Sequence, residues 1–233
     1  GRALLPRNGV IYGQMQSVFF SGTKLASGNI KVSDTQIPEP DISARKQVEK
    51  LFNLCEPTST EDLTDSVTLP FYGNASMVMG TGDGMFSGCF YNGNLILTGG
   101  ELHIDSSCEL HDVIIVARNV TIGDGFSGSL QVFAGDSVIV GDKVILGYPS
   151  GIYSRNYASL GEHSQVNGYM IVDHDGNVDI KNPNYSKART SRLRGLLYVK
   201  GIAQLQGIVT GSAYIDEAAY YSPHGYYRNM IYD

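Results

Sequence analysis

The sequence predicts an all-β chain centred on a small triangular β-helix, a solenoid with six-residue edges, flanked by extra strands and one short helix. Three observations lead there. Written in sixes from Gly88, ten frames cover residues 88–147 without insertion or deletion, and the third position is always apolar: Phe90, Ile96, Leu102, Cys108, Ile114, Val120, Phe126, Val132, Val138 and Val144. With 42% hydrophobic residues in the chain, such a column has a chance on the order of 0.001, even with six frames to choose from. The sixth position is rich in glycine, at Gly93, Gly99, Gly123, Gly135, Gly141 and Gly147. Composition agrees: of 233 residues, 28 are Gly and 15 are Tyr, and only 17% are charged, which suits turn-rich β structure and is too apolar for disorder.

Each part of the repeat has a physical reading. Positions three and five of an extended segment share a face, so Ile104, Leu110, Val116, Ile122, Val140 and Leu146 are expected to point inward with the third column. Glycine then takes the corner, and Asp136 and Asp142 after it are natural turn residues. A helix is excluded, because a period of six spreads the apolar column around a 3.6-residue turn. Three edges close a coil of about 18 residues, and ten frames give about three coils stacked at ~4.8 Å. A second block has Gly195, Gly201 and Gly207 six apart, with Leu197, Ala203 and Val209 in one inward column and Val199 and Leu205 in another. It reads as a further coil or as a flanking sheet.

The flanking segments follow in chain order. Residues 8–36 hold short β-like runs around Val10–Tyr12, Val18–Phe20 and Ile30–Val32, with turns at Ser21-Gly22 and Ser27-Gly28-Asn29. Ile37-Pro38-Glu39-Pro40 is an extended break. Ser43 then caps a helix over about 43–55, with Val48, Leu51, Phe52 and Cys55 as its apolar stripe. This helix is expected to cover an end or a side of the solenoid, since an open coil end recruits other chains. Tyr169–Val172 and Val178–Ile180 read as a hairpin around Asp173–Asn177. The tail from Tyr214 carries six tyrosines and either docks on the body or meets another subunit. The expected organisation is flanking strands and helix over 1–80, and solenoid, hairpin and tail over 81–233, with one continuous domain as the alternative.

Little in the chain carries chemistry. A net charge of −6 excludes nucleic acid, and the one basic run, Lys187 to Arg194, reads as a solvated loop. Cys55, Cys89 and Cys108 show no metal spacing; buried thiols are expected, with a single disulfide as the alternative. Asp173, Asp175, Gly176 and Asp179 faintly resemble a calcium loop, but glycine stands fourth where an EF-hand needs it sixth. His103 and His111 fall in different columns, and Glu101, Asp105, Glu109 and Asp112 read as a solvated face. No nucleophile elbow, zinc-protease, P-loop or dinucleotide fingerprint is present. No catalytic residue, metal or cofactor is therefore expected. Tyr148, Tyr153 and Tyr157, just after the repeat, are the candidates for surface binding, a glycan among their possible ligands. His163, in Leu160-Gly-Glu-His-Ser164, is the candidate general base should the coil belong to a hexapeptide-type acyltransferase.

Residues 88–147 and 195–214 resemble bactofilin-type polymer-forming proteins, whose small triangular β-helices stack end to end. The opening Leu4–Gly13 and the closing Val199–Gly211 also look like uncharacterised bacterial envelope proteins with one N-terminal membrane segment and a repeat-rich outer body. The resemblance implies a non-catalytic structural or assembly protein of the cell envelope, in the periplasm or at the cell surface, working through protein partners or self-association. The long N-terminal region and the helix depart from the bactofilin pattern. No stretch approaches the ~20 apolar residues of a membrane span. Gly1 reads as a residue left by tag removal and Arg2-Ala3-Leu4-Leu5 as an abrupt start, so membrane attachment is expected through a segment preceding it.

Overall fold

The computed structural model describes residues 2–11, 14–15, 18–19, 22, 24–53, 65–72 and 77–231. The chain divides into two compact units, residues 1–39 and 40–233. In the first, β1 (Arg2–Leu5) pairs in parallel with β4 (Asn29–Val32), and β2 (Gln14–Met15) pairs antiparallel with β3 (Val18–Phe19). Ile30–Val32 is strand as expected. Val10 and Ile11 are not, and Tyr12, Phe20 and Ser21 lie outside the described residues.

The second unit begins with α1 (Ile42–Phe52) and continues as the predicted β-solenoid, of about eight turns. Its strands are β5 (Ser66–Leu69), β6 (Met77–Phe86), β7 (Phe90–Gly93), β8 (Leu95–Ile104), β9 (Glu109–Ile122), β10 (Ser127–Val140), β11 (Ile145–Ser154), β12 (Tyr157–Leu160), β13 (Gln165–Asp173), β14 (Tyr185–Lys187), β15 (Arg192–Leu205) and β16 (Ile208–Ser222). Neighbouring coils pair in parallel. Leu102 lies opposite Val120 and Val120 opposite Val138, a repeat of 18 residues. The second glycine block forms a further coil, β15 on β13 and β16 on β15.

Seven of the ten third-column residues lie in the core: Leu102, Cys108, Val120, Phe126, Val132, Val138 and Val144. Phe90 and Ile114 are half-buried and Ile96, though buried, lies outside that cluster; their neighbours Cys89 and Tyr91, Leu95 and Leu97, and Val113 and Ile115 fill the interior instead. Both neighbours are apolar at these three places, so the strand can present either parity, and a one-residue slip exchanges its faces. Val116 moves outward for the same reason.

The slip gives one edge two apolar faces. Thr98, Val116, Phe133, Tyr153, Ile171 and Tyr198 stack in register on its outer side. Helix α1 lies against β9 and β10. Asp41 caps it, accepting from the Ser43 and Ala44 N–H groups, and Ser43 is the first-turn residue bound to that cap. Arg45, Val48, Leu51 and Phe52 are half-buried while Lys46, Gln47, Glu49 and Lys50 are exposed, which fixes the inward face. The helix therefore covers a side of the solenoid. Cys55 of the expected stripe lies outside the described residues, as does the expected end of the helix beyond Asn53.

Polar contacts tie the helix down. Arg45 donates from Nε and Nη2 to the two oxygens of buried Asp173, at 2.8 and 2.5 Å, and the Tyr153 hydroxyl reaches the same carboxylate at 3.3 Å. Phe52 packs on Tyr153 with ring centroids 6.4 Å apart, and the Arg155 guanidinium sits 4.5 Å above the Phe52 ring while pairing with Glu49. Arg45→Ala leaves a buried carboxylate without its forked donor, a loss of about 2 kcal/mol. Hydrogen exchange of amides 42–52 should accelerate strongly while those of 113–140 stay protected.

Two further expectations are corrected. Tyr169–Val172 does not turn back in a hairpin; β13 runs parallel between β11 and β15, and residues 174–184 form an inserted loop. Both edges of β13 are satisfied by neighbouring coils, so a hairpin partner has nothing to bond. Gln165 lies opposite Arg192, 27 residues on, and this insertion hides the repeat from any fixed frame. The basic run is not uniformly solvated either. Lys187 is 1% exposed, in an inward column between Leu160 and Leu205, while Arg189, Arg192 and Arg194 are exposed.

Candidate functional site

The inserted loop and the coil beneath it bound an open groove of about 690 Å³, lined by Asn156, Tyr157, His174, Asn184, Gln204 and Tyr221 among others. Most of its polar groups are engaged within the fold. Asn184 accepts from Ile202 N–H at 3.0 Å and donates to Asn156 O at 3.1 Å; Asn156 donates to Asp136 at 2.6 Å and meets His174 Nδ1 at 3.1 Å. The Tyr221 hydroxyl donates to Ile180 O at 2.8 Å, tying the tail to the loop. Such a network shapes a groove more than it offers free hydrogen bonds.

The carboxylates of the loop serve separate ends. Asp173 holds α1, Asp175 pairs with Lys200 at 2.8 Å, and Asp179 accepts from Lys181 N–H and Asn182. The Lys200 ammonium holds the Asp175 carboxyl below its usual range. Glu101 accepts from Asn119, Asp105 from Ser107, and Asp112 from Ser129. His103 and His111 lie on β8 and β9, and His111 faces the Phe90 ring at 6.4 Å.

His163 is exposed at a corner with φ +59°, the position held by Lys143 (φ +58°) and Gly125 (φ +78°) in preceding coils. Its N–H donates to Thr190 Oγ1 at 2.7 Å, and Thr190 binds Glu162, whose carboxyl is lowered by those bonds. A histidine pays a steric cost in this left-handed region that glycine avoids. His163→Gly should therefore raise stability by about 0.5–1 kcal/mol, read as a higher denaturation midpoint with an unchanged slope.

The tyrosine candidates are dispersed. Tyr148 is 83% exposed at a corner, Tyr157 lines the groove, and Tyr153 is 8% exposed on the side where α1 lies. Tyr153 is removed from the surface because the helix needs an aromatic face to cover, and burial pushes its hydroxyl pKa up.

At the last coil the ladder stops. Ile208 N–H donates to Ser191 O at 3.3 Å, and β16 pairs with β15 from Ile208 to Ala218. In a parallel ladder alternate residues bond to opposite sides. The backbone groups of Val209, Gly211, Ala213 and Ile215 therefore face away from β15, and among the described residues no strand pairs with that stretch. Beyond it the chain folds back: β17 (Gly225–Arg228) pairs antiparallel with Ala219–Ser222, stacking Tyr220 on Tyr227, and Arg228 forks onto Glu217.

Comparison with known proteins finds no matching family model, no similar curated protein and no similar solved structure. The architecture alone supports the functional reading. Sequence reasoning missed the groove; it expected an open coil edge as an interface but assigned no residue to it. Asn177, Asn182 and Asn184 between Gly176 and Tyr185 were the available signal, a run of amides that marks an inserted loop.

Proposed function

We propose that this is a non-catalytic structural or assembly protein of the bacterial cell envelope, held outside the cytoplasm and working through protein–protein contacts, self-association included. The ladder edge from Val209 to Ile215, with which no strand pairs among the described residues, carries the reading, because unpaired backbone groups on a terminal coil are a template for another strand. The likeness of the six-residue columns to bactofilin-type proteins, which stack end to end, fits it. The β17 hairpin restricts the template to one edge of the coil, which favours a defined contact over an unlimited filament.

Light scattering over a concentration series tests this. The wild type should associate. Ala213→Pro removes one outward N–H without touching the bonds to β15, and should leave a folded monomer. A wild type that stays monomeric and captures no envelope protein would defeat the proposal.

A glycan-binding role is the second reading, favoured by the groove with Tyr157 and Tyr221 on its wall. It predicts retention on a glycan array that Tyr157→Ala abolishes and Ala213→Pro leaves intact.

A further inference from the structure

Cys89 and Cys108 are buried, 6% and 2% exposed, at the same corner of two successive coils, just before β7 and β9. Phe90 lies in register with Glu109, and Glu109 N–H donates to Cys89 O at 2.8 Å, so the two residues are stacked neighbours across the ladder. Rungs of such a ladder stand ~4.8 Å apart, inside the ~4.4–6.8 Å between Cα atoms that a disulfide spans. Both side chains point into the same interior, and their sulfurs lie 2.9 Å apart. That is closer than non-bonded atoms rest, at about 3.5–4.0 Å, and about 0.9 Å beyond the bonded ~2.05 Å. A small rotation about each Cα–Cβ bond closes the gap.

We propose that Cys89 and Cys108 form an intrachain disulfide that staples two adjacent coils near the N-terminal end of the solenoid. The inference deepens the extracytoplasmic reading, since an oxidising compartment is where such a bond persists. The oxidant is an incoming disulfide, R–S–S–R, from a small molecule or an oxidase. One cysteine thiolate attacks it, releasing R–SH and leaving a mixed disulfide; the other thiolate then attacks the bound cysteine sulfur and releases the second R–SH. Two cysteine thiols lose two electrons, R–S–S–R gains them, and the two thiol protons end on the two R–SH molecules. The exchange belongs to folding, before the coils close. In the finished core, burial raises the Cys89 thiol pKa and shuts out the reagent. Once made, the bond is protected from reduction by the same packing, with Tyr91 and Leu110 around it.

Peptide mapping tests the bond directly. Cleavage after glutamate puts Cys55, Cys89 and Cys108 on separate peptides, ending at Glu61, Glu101 and Glu109. The full chain is reduced, unfolded, refolded with oxidised glutathione, and alkylated in denaturant before digestion. The expected result is one species joining the peptides that end at Glu101 and Glu109, two hydrogens lighter than their sum and split by reductant. Alkylation of both thiols, glutathione adducts, or pairing with Cys55 would each overturn the proposal. Reductant should also lower the apparent Tm by roughly 5–10 °C, and a Cys89→Ala/Cys108→Ala variant should lose that sensitivity. The same mapping on protein taken from its own cell separates the two readings. A linked pair supports both, whereas a pair that links in vitro but is reduced in the cell contradicts the extracytoplasmic location and leaves the chemistry standing.

Discussion

Gly195→Ala should destabilise the C-terminal coils by roughly 4 kcal/mol or more, whereas Gly147→Ala should cost less than about 1 kcal/mol. Both glycines belong to the repeats, but their surroundings differ. Ser150, Gly168, Gly195 and Gly211 stand in register at one corner of successive coils. Gly195 has φ +135°, and a Cβ on it would lie 1.8 Å from the Gly168 carbonyl oxygen; Gly211 repeats this against Gly195 at 2.0 Å. Neither rotation nor side-chain movement relieves a clash with backbone, so the coil must open. At Gly147 the nearest atom to a new Cβ is the Gly128 oxygen at 3.6 Å, an ordinary contact. Denaturation midpoints of the two variants give the comparison. Equal losses would mean that the glycines serve turn propensity alone and that the coils do not approach as described.

Lys187→Ala should cost about 3–5 kcal/mol, and Lys187→Met about 2 kcal/mol. The side chain fills an interior column that runs Ile122, Val140, Leu160, Lys187, Leu205. Its Nζ donates to Ser191 O at 2.7 Å, Gln206 O at 2.9 Å and Ser191 Oγ at 3.0 Å. The aliphatic stem thus continues the apolar column while the ammonium closes the corner where β14 gives way to β15. Alanine leaves a cavity and takes the ammonium from the Ser191 and Gln206 carbonyls, of which Ser191 O keeps the Ile208 N–H; methionine restores most of the volume and none of the bonds. The split between the variants is the diagnostic. Identical losses would place the whole effect in the ammonium's hydrogen bonds, and no loss in either would place the lysine outside the core.

The solenoid was legible because residues 88–147 keep a six-residue frame in sequence and the structure keeps much of it: Leu102, Val120 and Val138, each three frames from the next, are spatial neighbours on successive coils. Around Phe90, Ile96 and Ile114 the hexad count gives the right element and the wrong face, since consecutive apolar residues carry no parity. The last coils were half legible. Gly195, Gly201 and Gly207 mark them, but the insertion between β13 and β14 shifts the frame, and a lysine in an inward column looks like surface to any composition rule. Long-range partners left no local trace. Nothing near Arg45 in sequence announces Asp173, and nothing near Cys89 announces that Cys108 lies against it, because each pairing depends on how many residues make a coil.

Register is what all of this shares, and double-cysteine cross-linking measures it. With the three native cysteines replaced by alanine, Thr121→Cys/Ile139→Cys joins positions that face each other on adjacent coils, and Thr121→Cys/Ile145→Cys joins positions on different edges. Mild oxidation should close the first pair within the monomer and leave the second open, because only stacked rungs bring Cα atoms within the ~4.4–6.8 Å a disulfide spans. Closure of the second pair with the first left open would contradict the 18-residue coil, and with it the interior column and the free terminal edge.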